Sequence, residues 1–241
     1  MGTPPSLNIA IQGLYEAFSR YPLRQFTDPC LHCHTLEDEA QLHLLPLRQL
    51  GAAELRKFAE DALLVWGEVS DFKHFLPRVF ELYFDLENPA FEFTDPEILF
   101  SKFRHGDWLT WPAPEQNAVR TFLHAVWAEV LTDPPPIESF TDVQSWLCSI
   151  AQAEDDLKPY LVQWTEDPSE SSSLALSWML LSDAGRSPFW DRRDDQYDQV
   201  QQWKKSPPVA EKLMQSRDLA ASETVKNEFE AALGCIGLNL P

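Results

Sequence analysis

The sequence predicts an all-α fold: an irregular multi-helix domain of roughly nine to eleven helices, with stacked helix pairs as one arrangement open to it. Three observations carry this. Glycine is scarce, with eight in 241 residues, while aromatics reach 12% and include nine tryptophans, a balance that suits packed helices better than hairpins. Apolar residues recur at steps of three and four along several stretches. Alternating patterns are short and few, and no Asn-Gly or Asp-Gly hairpin turn occurs.

The elements follow in order. Leu55, Phe58, Ala59, Ala62, Leu63 and Trp66 share one helical face and predict a helix from Leu55 to Trp66 that Gly67 ends. Phe72, Phe75, Leu76, Val79, Phe80 and Tyr83 predict a second over Asp71 to Tyr83. Pro77 removes the amide that bonds to Lys73, so this helix is expected either to start late or to kink. Val119, Phe122, Leu123, Val126, Trp127 and Val130 predict a third, stopped before Asp133-Pro134-Pro135-Pro136. Thr141-Asp142-Val143-Gln144 then reads as a capping box opening a helix that buries Val143, Trp146, Leu147 and Ile150. Shorter helical patterns cover Leu157 to Trp164, Leu174 to Leu181, Tyr197 to Trp203 and Val225 to Leu233. Asp167-Pro168, Ser187-Pro188 and Ser206-Pro207-Pro208 separate them. Phe91-Glu92-Phe93 and Trp108-Leu109-Thr110-Trp111 are the only strand-like runs, and the tryptophans are too unevenly spaced to define a repeat.

The proline run at 133–136 reads either as a stiff linker between 1–132 and 137–241 or as a long turn inside one domain spanning 1–241. The turn is preferred, because both flanks need burial partners.

Charge narrows the partners. Nineteen basic residues against thirty-eight acidic ones leave a net charge of −19, which repels nucleic-acid phosphates and anionic lipid. Residues 1–132 hold ten basic and nineteen acidic side chains and 133–241 hold nine and nineteen, so the acidity forms no tail. Such a surface steers a basic protein partner and also simply favours solubility. No apolar run is long enough to span a membrane and no secretory pattern opens the chain, so a cytoplasmic location is expected. Met1 to Ser6 fits the short myristoylation pattern only formally, with two prolines inside it. Cysteines at 30, 33, 148 and 235 form no disulfide framework, and reduced thiols are expected.

The densest chemistry is Cys30-Leu31-His32-Cys33-His34. Thiolates two residues apart can grip zinc from a tight turn, which supplies half of a four-ligand site. His34 and His43 are the nearest residues to complete it, with His74, Cys148 and Cys235 as distant alternatives. A redox-active C-x-x-C is a second reading, though the βαβ context is missing. The simplest reading makes the cysteines partly buried small hydrophobes on a loop. A further constellation, Asp71, His74, Arg78 and Glu81, alternates in sign along one helix edge. It reads as an exposed ladder of salt bridges, or else as a setting in which Asp71 orients His74 toward the cysteine loop or a ligand. Asp155-Asp156 and Asp194-Asp195, near Lys158 and Arg192-Arg193, read as solvated helix ends.

Tyr21-Pro22, Cys30-Leu31-His32-Cys33, Leu47-Arg48-Gln49-Leu50, Trp66-Gly67 and Asp71-Phe72-Lys73-His74-Phe75-Leu76-Pro77-Arg78 lie within Leu14 to Tyr83, roughly a third of the chain. Together they resemble a family of uncharacterised bacterial proteins with a C-x-H-C loop followed by a DFKHFLPR helix. The resemblance implies a bacterial setting and carries no residue roles. Nucleophile-elbow, P-loop, dinucleotide, zinc-protease and EF-hand signatures are missing.

The resulting expectation is a non-enzymatic protein-binding module, most concretely an acidic immunity or antitoxin protein that occludes a basic bacterial toxin. Tryptophans would anchor the partner and acidic side chains would steer it. The alternative is a zinc-binding protein or metal-dependent enzyme using Cys30, Cys33 and His74, with His34 and His43 as further ligands. A scaffold or regulatory module is a third class.

Overall fold

The computed structural model describes residues 6–84, 94–134, 142–182 and 185–237. Among them are twelve α-helices, slightly above the expected number, and no strand. The all-α expectation holds. Pro135, Pro136, Thr141, the Phe91-Glu92-Phe93 run and the first five residues lie outside the described residues. The chain forms two compact units, residues 1–125 and 126–241, whose boundary falls inside a helix.

The first unit contains α1 (Leu7–Phe18), α2 (Leu36–Gln41), α3 (Ala52–Asp61), α4 (Val69–Tyr83), α5 (Pro96–His105) and the first part of α6 (Ala113–Thr132). The apolar stripe of α4 organises it, with α1 and α3 both packed on that helix. Phe80 stacks on Phe103, centroids 5.5 Å apart, and meets Phe122 at 4.8 Å, while Phe58 meets Phe75 at 4.7 Å. Burying a ring of this kind contributes about 1.5–3 kcal/mol, so this cluster dominates the unit.

Pro77 does not delay α4, which begins eight residues before it and runs through to Tyr83. The start is set instead by Asp71, whose carboxylate accepts the Glu68 amide at 2.8 Å in a capping-box arrangement.

Helix α3 corrects the expected span. It ends at Asp61, not Trp66, because Leu63 adopts a left-handed φ of 64° and its amide donates to Trp66 O at 2.9 Å. Ala62 and Trp66 are buried as expected but reach the core from a tight turn. Gly67, at φ 73°, takes the chain into α4. The run Trp108–Thr110, strand-like in sequence, is one turn of 3₁₀ helix.

The second unit holds the rest of α6 with α7 (Val143–Ala153), α8 (Lys158–Glu166), α9 (Glu170–Leu181), α10 (Asp194–Lys204), α11 (Pro207–Leu219) and α12 (Glu223–Cys235). Helices α9, α11 and α12 pack on one another. Trp127 meets Trp164 edge-on at 5.2 Å, and Trp164 meets Trp203 at 5.0 Å. The indoles are tied to backbone, Trp127 to Tyr160 O at 3.0 Å and Trp164 to Ser172 O at 2.9 Å. Asp142 caps α7 by accepting the Ser145 amide at 2.9 Å. Pro207 and Pro208, read as a separator, instead open α11, since a proline at the first helical position lacks only an amide that would be unpaired anyway.

Burial overturns one functional expectation. Seven of the nine tryptophans are buried and Trp178 and Trp203 are half-buried, so none is exposed as an anchor for a partner. They are the core.

Candidate functional site

The cysteine cluster sits on a loop pinned at both ends. Pro29 bridges antiparallel to Trp66, and the Cys30 amide donates to Val65 O at 2.9 Å, which ties the loop to the turn after α3. The Cys33 and His34 amides both donate back to Cys30 O, at 2.9 and 3.0 Å, closing one tight turn around the two thiols. Thr35 then caps α2, its hydroxyl accepting the Asp38 amide at 3.1 Å.

Beneath the turn lies a polar core. His34 is buried against Trp66, ring centroids 4.4 Å apart, and its Nε2 lies 3.1 Å from Asp61 Oδ2 without the alignment of a hydrogen bond. The Trp66 indole donates to Thr27 Oγ1 at 2.7 Å. Thr27 in turn donates its amide to Glu39 Oε1 at 2.8 Å and its hydroxyl to the same carboxylate. His43 Nε2 reaches Glu39 at 2.9 Å. Burial opposes ionisation of Glu39, but the bonds from Thr27, His43 and Trp66 outweigh it and hold the carboxyl below its ordinary value.

The structure therefore gathers Cys30, Cys33 and His34 in one loop and sends the other expected ligands elsewhere. His43 is committed to Glu39, and His74, on α4, pairs its Nδ1 with Tyr21 O at 2.8 Å. Among the described residues, no three His, Cys, Asp or Glu side chains form a metal-holding group. Cys30 and Cys33 are both exposed, which corrects the reading of them as partly buried hydrophobes. The Cys30 sulfur is faced by the amides of His32 and Cys33, which lower its pKa, while the Cys33 thiol is raised, chiefly by its hydrogen bond with Cys30. Asp61, Glu39 and Thr27 carried no sequence signal for this site, because their roles depend on contacts made only in the fold.

The charged edge of α4 is not an exposed ladder. Asp71 is buried and accepts Arg24 through both oxygens, at 2.8 and 2.6 Å. Arg78 donates to Leu50 O at 2.8 Å and to Glu81 at 2.7 Å. Beside Asp71 on α4, buried Lys73 pairs with Glu115 at 2.8 Å and lies over the Trp111 ring at 4.2 Å. Tyr21 also donates to Glu115 at 2.8 Å. Such pairs fix geometry more than they add stability.

His74, Tyr15, Tyr21, Arg48 and Gln49 line a cleft of about 540 Å³. Since a carbonyl only accepts, the bond to Tyr21 O places the His74 proton on Nδ1 and leaves Nε2 as the basic nitrogen. Burial lowers the His74 pKa, partly countered by the Tyr21 bond and Asp71, so the ring is neutral at physiological pH. Arg48 lies over Tyr15 at 3.6 Å and donates to Gln12 at 2.9 Å. Asp71, bound by Arg24, does not orient His74 through a hydrogen bond.

No family model, curated protein or solved structure matches this chain. No helix among the described residues is long and apolar enough to cross a membrane.

Proposed function

We propose that this chain is a non-enzymatic, cytoplasmic protein-binding module of the immunity or antitoxin kind, which occludes a partner with a basic surface, most concretely a bacterial toxin. The observation that carries the reading is the paired-loop surface around the cysteine turn. Leu31, Leu64 and Val65 are 62%, 53% and 37% exposed there, on two segments joined by the Cys30–Val65 backbone bond. Exposed Asp28, Glu37 and Glu68 flank those segments in the chain. Exposed apolar side chains on two joined segments supply affinity once water is excluded, and the acids that flank them in the chain steer a basic partner toward them.

With the tryptophans in the core, these aliphatic residues replace them as anchors. The buried polar base formed by His34, Trp66, Thr27 and Glu39 holds the two segments in place before binding, which lowers the ordering cost.

Isolation of the protein from its own cells at low ionic strength tests the reading. The expected result is one stoichiometric partner of basic charge, released by salt and lost in the double variant Leu31→Glu and Leu64→Glu. Recovery of no such partner, or equal recovery by the variant, ends the proposal.

A further inference from the structure

We propose that Cys30 and Cys33 form a dithiol that exchanges with an external disulfide and closes a Cys30–Cys33 bridge. The turn already has the required shape. The two cysteines are three positions apart in a turn closed by the Cys33 and His34 amides on Cys30 O. A four-residue turn closed by the Cys33 amide holds its end Cα atoms within about 7 Å, which overlaps the range of about 4.4–6.8 Å between Cα atoms that a disulfide spans. The Cys33 thiol and the His32 and Cys33 amides face the Cys30 sulfur.

The turn is held rigidly while its thiols are open to solvent. The Cys30 backbone is fixed to Val65 on one side, and His34 is packed against Trp66 on the other. Neither thiol contributes to the core, since both are exposed, whereas Cys148 is buried. A pinned turn that presents two adjacent thiols to solvent serves chemistry rather than packing.

The exchange balances without any bound group. Cys30, as thiolate, attacks one sulfur of an external disulfide RSSR, forming a Cys30–SR mixed disulfide and expelling RS⁻. Cys33 gives its proton to solvent and attacks the Cys30 sulfur, expelling the second RS⁻. Both leaving thiolates take up protons, so the protein dithiol loses two electrons and two protons while RSSR becomes two RSH. Cys30 is the attacking sulfur because the amides converge on it.

Full-length protein equilibrated in mixtures of reduced and oxidised glutathione, acid-quenched and mapped by peptide mass spectrometry, tests this. The expected product is a reversible loss of two hydrogens confined to the peptide holding both cysteines. Cys33→Ser is expected to accumulate a glutathione adduct on Cys30, several-fold more than Cys30→Ser accumulates on Cys33. Both substitutions are at exposed positions, and circular dichroism checks that each variant is folded. Three results overturn the proposal: adducts on both cysteines with no bridge, equal trapping by the two variants, or stoichiometric zinc that shields both thiols until a chelator removes it.

Discussion

The imidazole of His34 lies against the indole of Trp66, ring centroids 4.4 Å apart and planes tilted by 44°. This contact joins the cysteine turn to the segment that follows α3. Trp66→Ala is expected to cost about 3–5 kcal/mol, as for other buried tryptophans. Trp66→Phe keeps most of the ring and loses the bond to Thr27, with an expected cost of about 1–3 kcal/mol. Urea unfolding measures both.

The Thr27–Glu39 pair predicts an acid limb. Glu39 is depressed in the folded state, so its stabilisation is present above the unfolded carboxyl value of about 4.5 and is lost as pH falls through the lower folded value. Thr27→Val removes the hydroxyl's bond to Glu39 together with its bond from the Trp66 indole and is expected to destabilise by about 1–3 kcal/mol near neutrality. The difference between variant and parent should shrink toward low pH. Thermal melts across the acid range read it directly.

Lys102 predicts the opposite limb. Its ammonium is buried, donates to Glu60 O at 2.5 Å, and is pushed down to about 8 by burial, against an ordinary 10.5. Between those values the unfolded chain holds more protons than the folded one, so this residue makes stability rise with pH through that window. Lys102→Met should therefore remove an upward slope from about pH 8 to 10.5. Tyr15 and Tyr83, raised mainly by burial, pull stability down at still higher pH in both proteins and cancel from the comparison.

Trp127 carries the corresponding test in the second unit. Trp127→Phe removes the indole donor to Tyr160 O and is expected to cost about 0.5–1.5 kcal/mol, the net contribution of one hydrogen bond. A loss confined to unfolding of the second unit, read by hydrogen exchange, fits the account.

Helical periodicity made α4, α6 and most of the second unit legible in sequence, because Phe72, Phe80, Phe122 and Trp127 repeat on single faces and all reach the core. The same periodicity extended α3 too far. Ala62 and Trp66 sit at helical spacing, but Leu63 turns left-handed so that Trp66 can reach Thr27, a preference set by tertiary bonding. Pro207 and Pro208 are ambiguous for a related reason, since a proline pair either stops a helix or, as here, starts one. At the site, the cysteine spacing was visible, while the partners of His34, His43 and His74 were not. Asp61, Glu39 and Tyr21 become neighbours of those rings only after the chain folds.

Docking through the paired loops makes one prediction that separates them from the rest of the surface. Photo-crosslinking inside the producing cells tests it most directly, with the probe placed at Leu31, at Leu64, or at Leu219, which is 84% exposed on the second unit. The expected result is that a single basic protein is captured from positions 31 and 64, less efficiently at raised salt, and is not captured from 219. Equal capture from all three positions, or none from 31 and 64, contradicts it.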